Sequence, residues 1–321
     1  LINDLPLDAA SGIALFTGTF DGGGHTISGI KSSLFTKVGA GDFVIKNITL
    51  DFNSTNQRGA VFGDISGTAS VTMSNVHAIH RGNVKESGLV GEYSGPATIE
   101  NCSVIFESGA NCTGSEYVGG LARRITDKYT IKDSFVYIKD GATLKVTAPP
   151  NDKRIICGVG GLAGTVAKPN ISNTYVINQG KIASNVTVGS GGKPSTFTAG
   201  SGVYGGSWAG GNIKNSYAYQ AGEVTYIDNT SATDRVGILA GNGQSAVSLE
   251  NFVYFTNNDS IALNGDDTNA NKANAGDMKN ADTFTAWNLN TVDSAWVQND
   301  TKSPAYNKIP DLEGVPYLKM E

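Results

Sequence analysis

The chain has 321 residues, 39% of them hydrophobic, which is enough apolar content for a sizeable core and excludes a disordered polymer. Only 17% are charged while glycine takes 41 positions, a balance that suits a turn-rich all-β chain rather than a helical bundle. The net charge of −5 is dispersed, which argues against nucleic acid as a partner, and no apolar run approaches the ~18 residues of a membrane span.

The chain opens on Leu1, and a leader or longer N-terminal region is expected to have been removed. Residues 16–30, FTGTFDGGGHTISGI, alternate as strand, turn and strand around Asp21-Gly22-Gly23-Gly24. His25 follows this turn and reads as a local hydrogen bond or cap.

From residue 32 onward one module recurs about seven times. Each copy has a small residue before an apolar anchor, a short variable turn, and a β-alternating strand with a polar mark near its middle. The anchors are Leu34, Val61, Leu89, Leu121, Leu162, Ser207 and Leu239. The marks are Asn47, Asn75, Asn101, Asp133, Asn173, Asn215 and Asn251. In six copies the anchor precedes the mark by 11–14 residues; Ser207 precedes Asn215 by only 8, which predicts a tightened coil. The marks are spaced 26 to 42 residues apart.

Such a unit cannot bury its apolar face alone, so stacking into a parallel β-solenoid follows. Ile48, Val76, Cys102, Ser134, Thr174, Ser216 and Phe252 then share one inward column. Glycine permits positive φ at sharp corners. Asparagine tolerates the left-handed region and bonds to its like above and below. The marks therefore read as a structural ladder, with Asp133 the exception.

Gly158-x-Gly160-x-x-Ala163 has the spacing of a dinucleotide-binding loop. That loop should occur once and open a long helix, whereas here the stretch is one copy of the repeat and leads into a turn and strand. The long spacings place extra residues at 139–156 and 180–203, expected as longer strands or loops on one face. Beyond residue 256 the style changes. A short helix is predicted near 275–286, and Trp287, Trp296, Tyr306, Leu312, Tyr317 and Leu318 form a set able to plug the last coil. The division is a solenoid over 1–256, with its lead-in at 1–32, and a capping segment over 257–321.

Chemical motifs are sparse. Cys102, Cys112 and Cys157 are too few and odd in number for a disulfide framework and read as buried thiols. His77-x-x-His80 on a strand puts two rings on opposite faces, which is poor for a shared ligand. Neither a zinc pattern nor a nucleophile elbow occurs. Asp267-x-Asn269-x-Asn271 starts like a calcium loop, but Lys272 and Met278 stand where glycine and glutamate are needed. Glu100, Lys132, Ser172, Lys214 and Glu250 precede the marks without forming an acidic cluster. Arg123-Arg124 with Asp127 is the one compact charged group, read as a solvated turn. No catalytic, cofactor or metal residues are assigned, and no cofactor is expected.

The segments SGLVGEYSGPATIENCSV, VGGLARRI and GGLAGTVAKPNISNTYV resemble GLUG-motif repeats of bacterial surface proteins. GTFDGGGHTISGI and the ending FTAWNLN, AWVQND and IPDLEGVPYL resemble their flanking segments. The resemblance implies a single-stranded right-handed parallel β-helix of the pectin-lyase-like kind, exported to the bacterial surface. It occurs in adhesins and in non-catalytic regions of secreted proteins, some named immunoglobulin A1 proteases, and carries over no catalytic residues. The expected function is a non-catalytic adhesin or spacer, probing a host or environmental glycan or a surface protein as a monomer. The alternatives are a carbohydrate-active β-helix enzyme, which needs converging carboxylates in a groove, and the non-catalytic part of a secreted protease.

Overall fold

The computed structural model describes residues 1–6, 12–13, 16–36, 38–53, 59–64, 70–93, 95–147, 155–186, 197–228, 236–245, 247–261, 263, 270–287, 289–290, 295–298, 312 and 315–319. It is an all-β solenoid. Successive coils stack so that like strands pair in parallel, in register, from one end of the molecule to the other. Four parallel sheets build the stack, and the longest of them runs through it from the first rung to the last. The longest carries the marks and includes Val38–Phe52, Val71–His80, Tyr129–Ile138, Asn170–Asn178, Asn212–Gln220 and Ser248–Thr256. The second includes Thr143–Thr147 and Lys181–Val186, the third Ile155–Gly160 and Phe197–Gly202, the fourth Ala122–Ile125, Ala163–Ala167 and Gly205–Ala209.

Each strand of the long sheet bends at its mark. Asn47, Asn75, Asn101, Asp133, Asn173, Asn215 and Asn251 all have φ between 47° and 58°. This left-handed conformation costs most L-residues about 1–2 kcal/mol, and asparagine and aspartate adopt it most readily. The side chains link rung to rung. Asn75 Nδ2 donates to Asn47 Oδ1 (3.2 Å), Asn173 to Asp133 Oδ1 (2.8 Å) and Asn251 to Asn215 Oδ1 (2.8 Å). Asp133 fits because the ladder asks it only to accept. Asp21 is the foot, accepting from Asn47 Nδ2 at 3.2 Å. The glycines after Asp21 do not reverse the chain into a hairpin. Phe16–Ile30 lies wholly parallel to Val38–Phe52, and the register slips between Asp21 and His25 where the glycines round the same corner.

Immediately inside the bend lie Ile48, Val76, Cys102, Ser134, Thr174, Ser216 and Phe252, all buried. The hydroxyls serve the bent backbone. Ser134 Oγ accepts from Cys102 N (3.1 Å) and donates to Lys132 O (2.7 Å); Ser216 does the same between Thr174 N and Lys214 O. A buried hydroxyl without such partners would cost about 1–3 kcal/mol.

The sixth anchor is Tyr204, not Ser207. Leu121 N donates to Leu162 O, Leu162 N to Tyr204 O, and Tyr204 N to Ile238 O, so Tyr204 continues the anchor column. It precedes Asn215 by 11 residues, and that coil is therefore not tightened. Its hydroxyl crosses the core to Thr174 O (2.9 Å) and Tyr217 O (3.0 Å).

Gly158 and Gly160 are needed for close approach rather than for positive φ. A Cβ on Gly158 would lie 2.4 Å from Gly164 O, and one on Gly160 2.1 Å from Ala163 O. The third and fourth sheets thus meet backbone to backbone, and the glycine-rich stretch is a seam. Of the two long insertions, 148–154 and 187–196 lie outside the described residues; Thr143–Thr147 and Lys181–Val186 before them pair with each other in the second sheet, and Ile155–Gly160 and Phe197–Gly202 after them in the third.

Ala270–Lys272 pairs in parallel with Phe252–Tyr254, adding a short rung after Thr256. Two 3-10 turns follow, Asp277–Lys279 and Ala281–Trp287. Most of the described members of the aromatic set lie on the flank of the stack rather than at its end. Trp287, Trp296, Leu312 and Leu318 lie against the outer face of the long sheet, in one apolar cluster with Phe135, Tyr175 and Tyr217. Tyr217 Oη donates to Pro316 O at 2.9 Å, and Tyr306 lies outside the described residues. The long sheet is therefore covered on both faces over these rungs.

Candidate functional site

Arg123 is the centre of the densest charge cluster. It is no part of a solvated turn: its side chain is 4% exposed, while Arg124 and Asp127 remain exposed outside the cluster. Its Nε lies 2.9 Å from Glu86 Oε2, Nη2 lies 2.6 Å from Glu116 Oε2, and Nη1 pairs with Glu92 Oε2. The guanidinium also stands 5.7 Å from the Tyr117 ring centroid. Register explains the room it occupies. Arg123 holds the position that Gly164 holds in the next coil, and Tyr117 pairs with Gly158. Where the next coil closes its seam with two glycines, this one fills it with an arginine on a tyrosine.

Glu86 is buried beside Arg123 and sits at φ 66°, whereas Glu92 and Glu116 reach solvent with 43% and 52% of their side chains exposed. The guanidinium serves three carboxylates, so the cluster remains acidic. Burial pushes the nearby Cys112 thiol up, and the Glu86 charge pushes it further. Sequence reasoning missed the three glutamates because they approach Arg123 from 7 to 37 residues away. The available signal was the fourth copy's VGGLAR, which breaks the GGLAG pattern.

His77 and His80 do face opposite ways. His77 Nε2 bonds Asn75 Oδ1 (2.7 Å) and Nδ1 bonds Ser103 Oγ (2.9 Å). The Asn75 oxygen can only accept, so Nε2 carries the proton and Ser103 donates to Nδ1. This ties His77 into the ladder at the oxygen where Asn101 would otherwise bond. The order of serine, imidazole and amide matches a nucleophile, base and orienter. Ser103 is only 1% exposed and His77 4%, so the trio serves packing in this conformation. His80 stacks inside the coil between Phe52 and Phe106, at 5.0 and 5.1 Å, with Nε2 donating to Gly88 O (2.8 Å). Burial pulls both histidines down to about 4.

His25 reaches Asp4 Oδ1 at 3.3 Å near the N-terminal edge. The residues before the marks pair across rungs, Lys132 with Glu100 at 2.6 Å and Lys214 with Glu250 at 2.7 Å. Cys102, Cys112 and Cys157 are buried and form no disulfide. Among the described residues no group of three His, Cys, Asp or Glu is placed to hold a metal ion. Asp267 and Asn269 lie outside them, and Lys272 pairs with Asp259 at 2.9 Å.

The described residues line two cavities of note. An apolar one of about 290 Å³ opens at the N-terminal end, lined by Leu1, Leu5, Ile13, Phe20, Ile27 and Leu34 among others. A groove of about 570 Å³ lies where the last bent strand meets the C-terminal segment, lined by Ser248, Asn251, Asn271, Thr283, Thr285 and Trp287 among others. No helix among the described residues is long and apolar enough to cross a membrane.

Comparison with protein-family models, with curated proteins and with solved structures finds no match to this chain.

Proposed function

We propose that this chain is a non-catalytic extracellular β-solenoid, serving at a bacterial surface as an adhesin or as a binding and spacer module. The observation that carries the reading is how its polar side chains are spent. Marks bond to marks, serines bond to bent backbone, and lysines pair with glutamates of the neighbouring rung. Groups held by one another in this way build a rod rather than a reaction centre. The likeness of the repeats to GLUG motifs supports the same reading. The test is incubation of the purified chain with polysaccharides and with protein substrates, following reducing ends, unsaturated-sugar absorbance and new peptide termini. No turnover is expected; turnover abolished by a point substitution would overturn the proposal.

A second reading, a carbohydrate-active enzyme, draws on Glu92 and Glu116, two solvent-reaching carboxylates brought together on Arg123. It requires sugar release that disappears in both Glu92→Gln and Glu116→Gln.

A further inference from the structure

We infer that the groove beside Asn251 is a binding site for a neutral, polyhydroxylated ligand, a segment of an uncharged glycan. The inference rests on the binding-module reading and gives it a place and a ligand class.

The ladder supplies the first argument. In each linked pair, the asparagine of the later rung donates its amide hydrogen to the side-chain oxygen of the rung before it. Asn251 donates to Asn215 in this way, and its own Oδ1 accepts nothing among the described residues. Asn251 lines the groove. The last mark therefore presents its acceptor oxygen to a cavity, where a ligand hydroxyl can donate to it.

The second argument is the wall. Ser248, Asn271, Thr283 and Thr285 line the same groove, and their side chains make no hydrogen bond among the described residues. Here hydroxyls and amides from the bent strand, the short extra rung and the 3-10 turn converge unpaired. Hydroxyls and amides both donate and accept, which matches the mixed demands of sugar hydroxyls. The third argument is charge. No lysine or arginine lines the groove, which leaves an anionic ligand uncompensated, and Glu250 is already paired with Lys214. Trp287 stiffens the floor, its Nε1 donating to Asn251 O at 3.2 Å and its ring packed on Trp296. A volume of about 570 Å³ is within the range of small-molecule sites.

The test is affinity electrophoresis of the purified chain through gels containing dextran, galactomannan or xylan, together with an array of neutral and charged oligosaccharides. Retardation by a neutral polymer, or capture by a neutral array sugar, is expected. The exposed pair N271A/T285A should weaken it at least ten-fold with an unchanged melting temperature, and Thr285→Arg, which fills the mouth, should do the same. The inference is overturned if both variants bind as tightly as the parent. It is also overturned if no neutral glycan binds, or if only charged glycans or peptides do. Those outcomes leave the non-catalytic module standing, since that reading falls only on turnover.

Discussion

Tyr175 and Tyr217 stack on the outer face of the long sheet with ring centroids 4.9 Å apart and planes 1° from parallel, yet their hydroxyls differ. Tyr217 Oη donates to Pro316 O, whereas Tyr175 Oη is buried without a hydrogen-bond partner. A buried hydroxyl left unsatisfied costs about 1–3 kcal/mol. Tyr175→Phe should therefore leave stability unchanged or raise it by about 1 kcal/mol, while Tyr217→Phe should lower it by about 1 kcal/mol. Urea unfolding of the two variants checks the contrast in sign.

Trp296 packs on Tyr175, Tyr217 and Trp287 and is 1% exposed. Trp296→Ala should cost about 3–5 kcal/mol, the usual loss for a buried tryptophan. Because Trp296 covers the flank of the rungs and not their end, hydrogen exchange should rise at Tyr175–Ile177 and Tyr217–Tyr219. An increase confined to the last rung would contradict the flank arrangement.

Removing Arg123 leaves Glu86 buried beside an empty position. Arg123→Ala should destabilise by about 3–5 kcal/mol, the cost of stranding one partner of a buried ion pair. Adding Glu86→Gln should recover part of that loss, because the stranded charge disappears. Thermal unfolding of the single and double variants measures the coupling; strict additivity would mean the pair does not interact.

The corners carry a substitution test of their own. Asn173 has φ 48° and donates to Asp133. Asn173→Ala loses both the tolerance and the bond, for about 2 kcal/mol or more. Asn173→Gly keeps the backbone at ease and should cost roughly half as much. Chemical denaturation of both variants gives the ratio.

Acid should weaken the fold through its two interior histidines. Burial lowers His77 and His80 from 6.5 to about 4, so the unfolded chain takes up their protons first. Their contribution is complete above about pH 6.5 and is lost as pH falls towards 4, by about 3 kcal/mol for each. His80→Phe would extend the Phe52–Phe106 stack and should flatten the pH 4–6.5 slope. An unaltered slope in that variant would show that His80 does not titrate this way.

The corners were legible in the sequence because left-handed backbone is a local demand that asparagine answers locally. The seven marks stood out because one polar residue recurs at the same place in each copy of the module. The inward column followed from the same alternation. Tyr204 was obscured because an aromatic stands where the other copies carry Leu or Val, and only its pairing with Leu162 reveals the equivalence. Arg123 was misread because two of its carboxylates belong to the preceding coil, and a single-turn reading cannot bring them in. The flank cover left a trace that passes unnoticed when one face is assumed wet. The runs SFVYI, TYVIN and SYAYQ are apolar on both alternations, whereas a half-exposed strand should be apolar on one.

The packing of Trp287, Trp296 and Leu318 along the side of the stack also determines how tension would travel. A pull on the C-terminal segment is borne first in shear, spread over the aromatic side chains of several coils at once. Only after that layer detaches does the load reach the rungs one by one, where each parallel strand would unzip singly. Such a molecule resists peeling most strongly at the start of extension, a force–distance signature that a solenoid closed merely by an end plug would lack.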